Sequence, residues 1–96
     1  MITGAQLRAA RGLLNLSVAE LSERTGLAVN TIRRAEGTNA VAPINAASMK
    51  LLADTLEEAG VLFLAADNAG AGVRFQKPEG VPLKPRRRDE PPVEGD

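Results

Sequence analysis

The 96-residue sequence contains no cysteine, histidine, tryptophan or tyrosine, and only two phenylalanines. Without cysteine there are no disulfides and no thiolate metal sites. Without histidine there is no Ser-His-Asp or Cys-His nucleophile system and no imidazole-bound zinc to activate water. Two phenylalanines cannot both build a core and stack bases, which argues against an aromatic platform for single-stranded RNA or DNA. Long hydrophobic runs are missing too. The longest, Val61 to Ala66, is far too short to span a bilayer or to form the core of a secretory leader. A soluble cytoplasmic protein with no membrane partner is the expectation. The adjacent carboxylates Glu57 and Glu58 lie about 100° apart on a helix and do not converge on a substrate. With no catalytic constellation or cofactor motif, the sequence reads as a non-enzyme with no cofactor, no metal and no evident small-molecule ligand.

Net charge is also absent, since 12 basic residues balance 12 acidic ones. The charges are nevertheless unevenly placed. Residues 1–40 hold Arg8, Arg11, Arg24, Arg33 and Arg34 against Glu20, Glu23 and Glu36, whereas residues 41–60 hold Lys50 against Asp54, Glu57 and Glu58. A positive N-terminal half beside a negative helix orients a domain on a polyanion even at zero total charge.

The 44% hydrophobic and 25% charged composition is that of one small globular domain, with no room for a separate sensor or effector domain. Thr3 followed by Gln6 has capping-box spacing, and Leu7, Ala10, Arg11 and Leu14 recur at helical intervals, predicting a first helix over about Gly4 to Leu13. Ser17 with Glu20 repeats the box and starts a short second helix that Gly26 should cap. A third helix is expected over Ala28 to Ala35, ended by Gly37. Asn45 is the expected N-cap of a fourth, with Met49, Leu52, Ala53, Leu56 and Ala59 on one face and Gly60 as its stop. Val61 to Ala66, a turn at Asp67-Asn68-Ala69-Gly70, and Gly72 to Gln76 read as a hairpin. Five of the six prolines then fall after Lys77, so residues 78–96 are expected to be a disordered tail. The expected division is a helical unit over 1–60, a hairpin over 61–77 and the tail.

Rotating the third helix by about 100° per residue places Ala28, Ile32 and Ala35 on one apolar stripe. Asn30 faces the other way, flanked by Arg33 and Arg34, with Val29 and Thr31 at the edges. That outward set suits a DNA major groove: Asn pairs with adenine, Arg with guanine, and valine methyls touch the thymine methyl. The helix N-terminus behind Ser17, with its hydroxyl, suits a backbone phosphate. The alternative for Arg33 and Arg34 is an ordinary solvated helix face.

The order and spacing resemble the Cro/C1-type (XRE-like) helix-turn-helix family of bacterial and phage transcription regulators. The resemblance is carried by Gln6-Leu7-Arg8-Ala9-Ala10-Arg11, Ser17-Val18-Ala19-Glu20-Leu21-Ser22, Thr25-Gly26-Leu27 and Thr31-Ile32-Arg33-Arg34-Ala35-Glu36-Gly37, and it covers about residues 3–60. Ala53 to Phe63 and Gly72-Val73-Arg74-Phe75 also look like a subgroup whose helical domain ends in a hairpin. The implied fold is mostly α: a four-helix, lambda-repressor-like helix-turn-helix domain with a C-terminal β-hairpin. The implied function is sequence-specific binding of double-stranded DNA, with the third helix in the major groove. The resemblance puts base-reading positions at Val29, Asn30 and Arg34, phosphate contacts at Ser17, Thr31, Thr38 and Asn39, and a structural ion pair between Arg11 and Glu36. Two residues depart from the family pattern. Val18 stands where a Gln commonly reaches DNA, and Ala28 stands where a capping Ser or Thr is usual, a loss of roughly 1 kcal/mol of local helix stability.

Val61 to Ala66 is apolar on both faces, with Val61, Phe63 and Ala65 on one and Leu62, Leu64 and Ala66 on the other. One face covers the helical core. The other, with Leu62 and Leu64, is expected at a homodimer interface that also supplies two-fold symmetry for DNA half-sites. The alternatives are a tail folded over these residues or simple exposure. The tail cluster Lys84, Arg86, Arg87 and Arg88 reads as part of a solvated, self-neutralising end, as an arm adding phosphate contacts, or as a Pro-rich ligand for a partner. The rival to a nucleoid-associated DNA-binding regulator is a protein-interaction module, antitoxin-like or anti-activator, that uses the same scaffold to hold a regulatory protein. In either case control has to come from concentration, a partner or proteolysis.

Overall fold

Two capping boxes start the first two helices of the structure, a computed structural model that describes residues 1–82. In α1 (Gly4–Leu13) the Thr3 hydroxyl accepts from the Gln6 N–H, and the Gln6 side chain accepts from the Thr3 N–H. In α2 (Val18–Thr25) Ser17 and Glu20 do the same. Each box satisfies two backbone donors that a helix start otherwise leaves unpaired. Gly26 ends α2 with φ +77° and an N–H donated to Ser22 O at 2.8 Å, the left-handed cap that glycine adopts without steric cost. Between α1 and α2 the chain turns at Asn15, whose φ of +55° is tolerated by asparagine better than by branched residues.

Helix α3 spans Val29–Glu36, one residue later than the expected Ala28 to Ala35. Ala28 is its N-cap and is exposed, so the packed stripe is Ile32, Ala35 and Glu36 rather than Ala28, Ile32 and Ala35. Helix α4 (Ala46–Glu58) is capped by Asn45, whose Oδ1 accepts from the Ser48 N–H at 2.7 Å. Strands β1 (Val61–Leu64) and β2 (Gly72–Phe75) form an antiparallel hairpin in the register Val61↔Phe75 to Leu64↔Gly72. The described chain is therefore mostly helical, four helices followed by a two-stranded sheet.

One core joins these elements. It contains Leu7, Ala10 and Leu14 of the first helix and its end, Leu16, Leu21, Ile32, Ala35, Ala42, Leu52 and Leu56, and closes on Val61 of the hairpin. Phe63, Val73 and Phe75 pack against it from the inner face of the sheet. No described helix is long and apolar enough to cross a membrane.

The hairpin differs from expectation at its ends. Pairing stops at Leu64 and Phe75, and Ala65 and Ala66 are exposed, because Asp67 closes a turn of its own by accepting the Ala69 N–H on its side chain. The order also runs past residue 77. Pro78 opens a turn in which Gly80 donates to Lys77 O at 2.9 Å, and Val81 then folds back onto Gly60 and the core. Gly80 and Val81, within the segment expected to be a tail, thus pack on Phe75 and Gly60. The Lys84 to Arg88 cluster and the rest of the expected tail lie outside the described residues.

Candidate functional site

Three buried positions fix the rotation of α3 about its axis. Ile32 and Ala35 are fully enclosed, and Glu36 is locked by a two-pronged ion pair. Arg11 Nε and Nη2 donate to the Glu36 carboxylate at 2.9 and 2.8 Å, while Arg11 Nη1 donates to Leu16 O at 3.0 Å. One guanidinium thereby ties the C-terminal end of α3 to α1 and to the α1–α2 connection. All three guanidinium nitrogens and both carboxylate oxygens of this partly buried pair are hydrogen-bonded, two of the bonds as a fork, the condition under which such a pair holds a structure in place. The hydrogen bonds that Arg11 donates to Glu36 raise its pKa above the ordinary value; partial burial works against them and the Glu36 charge adds to them. Since the folded-state value lies above the unfolded one, Arg11 contributes fully across neutral pH and its contribution falls away only as pH rises through the arginine range.

With that face packed, Asn30, Arg33 and Arg34 project on the exposed side of α3, and Val29 and Thr31 lie half-buried at its edges. The side chains of Asn30, Arg33 and Arg34 make no hydrogen bond or ion pair among the described residues. The structure therefore brings the expected base-contacting residues together on one solvent-facing surface. An amide and two guanidiniums offer an acceptor and forked donors, the groups that match base edges and phosphates.

The expected phosphate-contacting residues are in different states. The Ser17 hydroxyl accepts from the Glu20 N–H as the α2 cap, so its own O–H remains as the available donor. Thr38 is half-buried and accepts the Ala40 N–H at 3.1 Å. Asn39 is exposed and accepts from Arg8 Nη2 at 2.5 Å. Val18, one of the departures from the family pattern, packs against the core.

Ala28 gives α3 no side-chain cap. Replacing it with serine is expected to stabilise the protein by about 1 kcal/mol, read as a raised midpoint of urea unfolding at unchanged slope.

Leu62 and Leu64 occupy a second surface. They pair with Arg74 and Gly72 on the sheet face opposite Val61 and Phe63, and both are half-buried. The hairpin packs on α1 and α4, whereas α3 packs on α1 and α2.

Two side chains matter more here than local patterning indicated. Gln6, legible only as a capping residue, also donates from Nε2 to Leu64 O at 3.0 Å and Gly72 O at 2.8 Å, so it pins the loop end of the hairpin to α1. Arg8 donates to Glu36 O, to Thr38 O and to Asn39 Oδ1. Both contacts join residues far apart in sequence, beyond the reach of any helical or strand period.

Among the described residues no cluster of acidic side chains is placed to hold a metal ion. Comparison with family models, with curated proteins and with solved structures finds no match to this chain.

Proposed function

We propose that this chain is a sequence-specific, double-stranded DNA-binding transcriptional regulator of the Cro/C1-type helix-turn-helix kind, in which α2 and α3 form the motif and α3 lies in the major groove. The observation that carries the reading is the solvent-facing set Asn30, Arg33 and Arg34, without hydrogen-bond or ion-pair partners among the described residues, on a helix whose opposite face is immobilised by Ile32, Ala35 and the Arg11–Glu36 fork. A reading element has to be rigid, because base-edge hydrogen bonds tolerate little angular error. Val29, Asn30, Arg33 and Arg34 are the base-contacting candidates, and Ser17, Thr31, Thr38 and Asn39 the phosphate-contacting ones. The protein acts as a homodimer in the cytoplasm, associated with the nucleoid, with Leu62 and Leu64 at the interface and two copies of α3 presented to half-sites about one helical turn apart. It is a binding protein and not an enzyme, and it needs no cofactor.

Replacing Asn30 and Arg34 together with alanine is expected to lower affinity for the duplex upstream of the protein's own coding sequence by roughly a hundredfold, since each bidentate base contact contributes about 1–3 kcal/mol. The melting temperature should not change, because neither side chain has a partner to lose among the described residues. Fluorescence anisotropy and thermal unfolding read the two quantities. The second reading, a protein-interaction module, is favoured by the burial of Val18 against the core, which removes one contact to DNA. It would be supported if the double variant retained full activity and only Leu62→Ser or Leu64→Ser abolished it.

A further inference from the structure

We infer that Arg8 is a positioning residue for DNA backbone recognition: it presents the Asn39 amide so that its NH2 group, and not its oxygen, meets a phosphate. The inference rests on the DNA-binding reading and adds to it a residue that acts through another.

Arg8 is exposed, yet its guanidinium is directed back onto the protein. Nη1 donates to Glu36 O, the last carbonyl of α3, and to Thr38 O at 3.3 Å, and Nη2 donates to Asn39 Oδ1 at 2.5 Å. A cation over the carbonyl end of a helix sits where the helix dipole favours it. The same loop is held from its other side, where Gly4 donates its N–H to Ala40 O at 2.9 Å and approaches Thr38 O too closely to carry a Cβ. Residues 37–40 are therefore fixed between the backbone of α1 and a side chain of α1.

The chemistry then orients the amide. A guanidinium only donates, so the atom of Asn39 facing it has to be the oxygen. That leaves Nδ2 as a two-proton donor without a partner among the described residues, in an exposed loop next to the exposed face of α3. A donor suits a phosphate oxygen, whereas an unrestrained asparagine would present its oxygen as readily. Nη1 and Nη2 are both directed onto oxygens of the protein, so Arg8 acts on DNA through Asn39 rather than as a ligand of its own.

Backbone contacts do not depend on sequence, so the test uses the full chain and a short mixed-sequence duplex, followed by anisotropy across a salt series. Arg8→Lys keeps the charge and loses the fork, and it is expected to weaken binding about tenfold, the effect of one lost hydrogen bond to a charged group. The slope of affinity against salt should stay as in the wild type. Asn39→Ala should weaken binding to a similar extent, and adding Arg8→Lys to it should cost no more, the non-additive cycle of two residues acting as one. The Asn39 side-chain NH2 resonances of the wild-type protein should shift when duplex is added, a readout that needs no variant. Additive losses, wild-type affinity in both variants, or an Asn39 NH2 unmoved by DNA would overturn the inference while leaving DNA binding standing. A salt slope reduced by about one ion in Arg8→Met, which removes the charge that Arg8→Lys keeps, would instead make Arg8 a direct phosphate ligand. A wild-type protein that fails to bind the mixed duplex even at low salt would overturn the DNA reading and this inference together.

Discussion

Gly4→Ala is expected to lower the free energy of unfolding by about 3 kcal/mol or more, the upper range for forcing an extra carbon into a filled space. A Cβ built at Gly4 lies 2.2 Å from Thr38 O and 2.5 Å from Ala35 O. Both obstacles are backbone atoms, and neither can swing aside as a side chain would. The contact exists because the first turn of α1 is drawn against the loop after α3, with Gly4 N–H bonded to Ala40 O, Ala42 N–H to Ile2 O, and Thr3 bridged to Val41. Moving the loop by enough to admit a methyl group would break these bonds and the loop that carries Thr38 and Asn39. Gly12 is the internal control. It lies in the last turn of the same helix with nothing within 4 Å of its notional Cβ, so Gly12→Ala should raise stability by about 0.5–1 kcal/mol through helix propensity. Chemical unfolding of both variants tests the pair. An unchanged midpoint for Gly4→Ala would mean that the α1–loop junction is looser than described.

Gln6→Glu is expected to cost about 3 kcal/mol at neutral pH and less in acid. The side chain is 4% exposed and its Nε2 donates to Leu64 O and Gly72 O, the two carbonyls of the last register pair in the hairpin. A glutamate in the same volume keeps the acceptor for the Thr3 N–H but offers the two carbonyls a negative oxygen, losing two hydrogen bonds and adding repulsion. That environment raises the folded-state pKa of the introduced carboxyl above its unfolded value. Such a group destabilises most above the raised value, and the deficit shrinks as pH falls through it toward the ordinary glutamate range near about 4.3, where the protonated acid regains one donor. Gln6→Leu, with no titrating group, should show a deficit that does not follow pH. The discriminating result is the pH dependence of the gap to wild type; parallel behaviour of the two variants would count against the clamp.

The opposite end of the hairpin is held in the same manner, since Gln76 Nε2 donates to Glu57 O and Val61 O, both at 2.9 Å. These two clamps illustrate what was and was not legible in the residues. Thr3–Gln6 and Ser17–Glu20 are encoded at a spacing of three, so both helix starts could be read directly, as could the Gly26 stop. The outward position of Asn30, Arg33 and Arg34 was legible for a related reason: the apolar period of a helix fixes its rotation wherever one face is buried. Ala28 escaped the expected stripe because it is a cap and not the first helical residue. Strand length was overestimated, since Ala65 and Ala66 continue the apolar run but have no partners across from them. The reach of Gln6 to the hairpin and of Arg8 to the loop, the crowding at Gly4 and the return of Val81 onto Gly60 all depend on chain closure over long separations, which no local pattern records. The Arg11–Glu36 pair is equally long-range, and it was anticipated only through the family resemblance.

The proposed function rests on specific recognition of duplex DNA. Its most direct test is fluorescence anisotropy of the purified protein on the duplex upstream of its own coding sequence and on a scrambled duplex of the same composition, each at low and near-physiological salt. Binding at least about tenfold tighter to the native duplex, persisting at the higher salt while binding to the scrambled one falls away, is the predicted result. Equal affinity for both duplexes, lost together as salt rises, would contradict it.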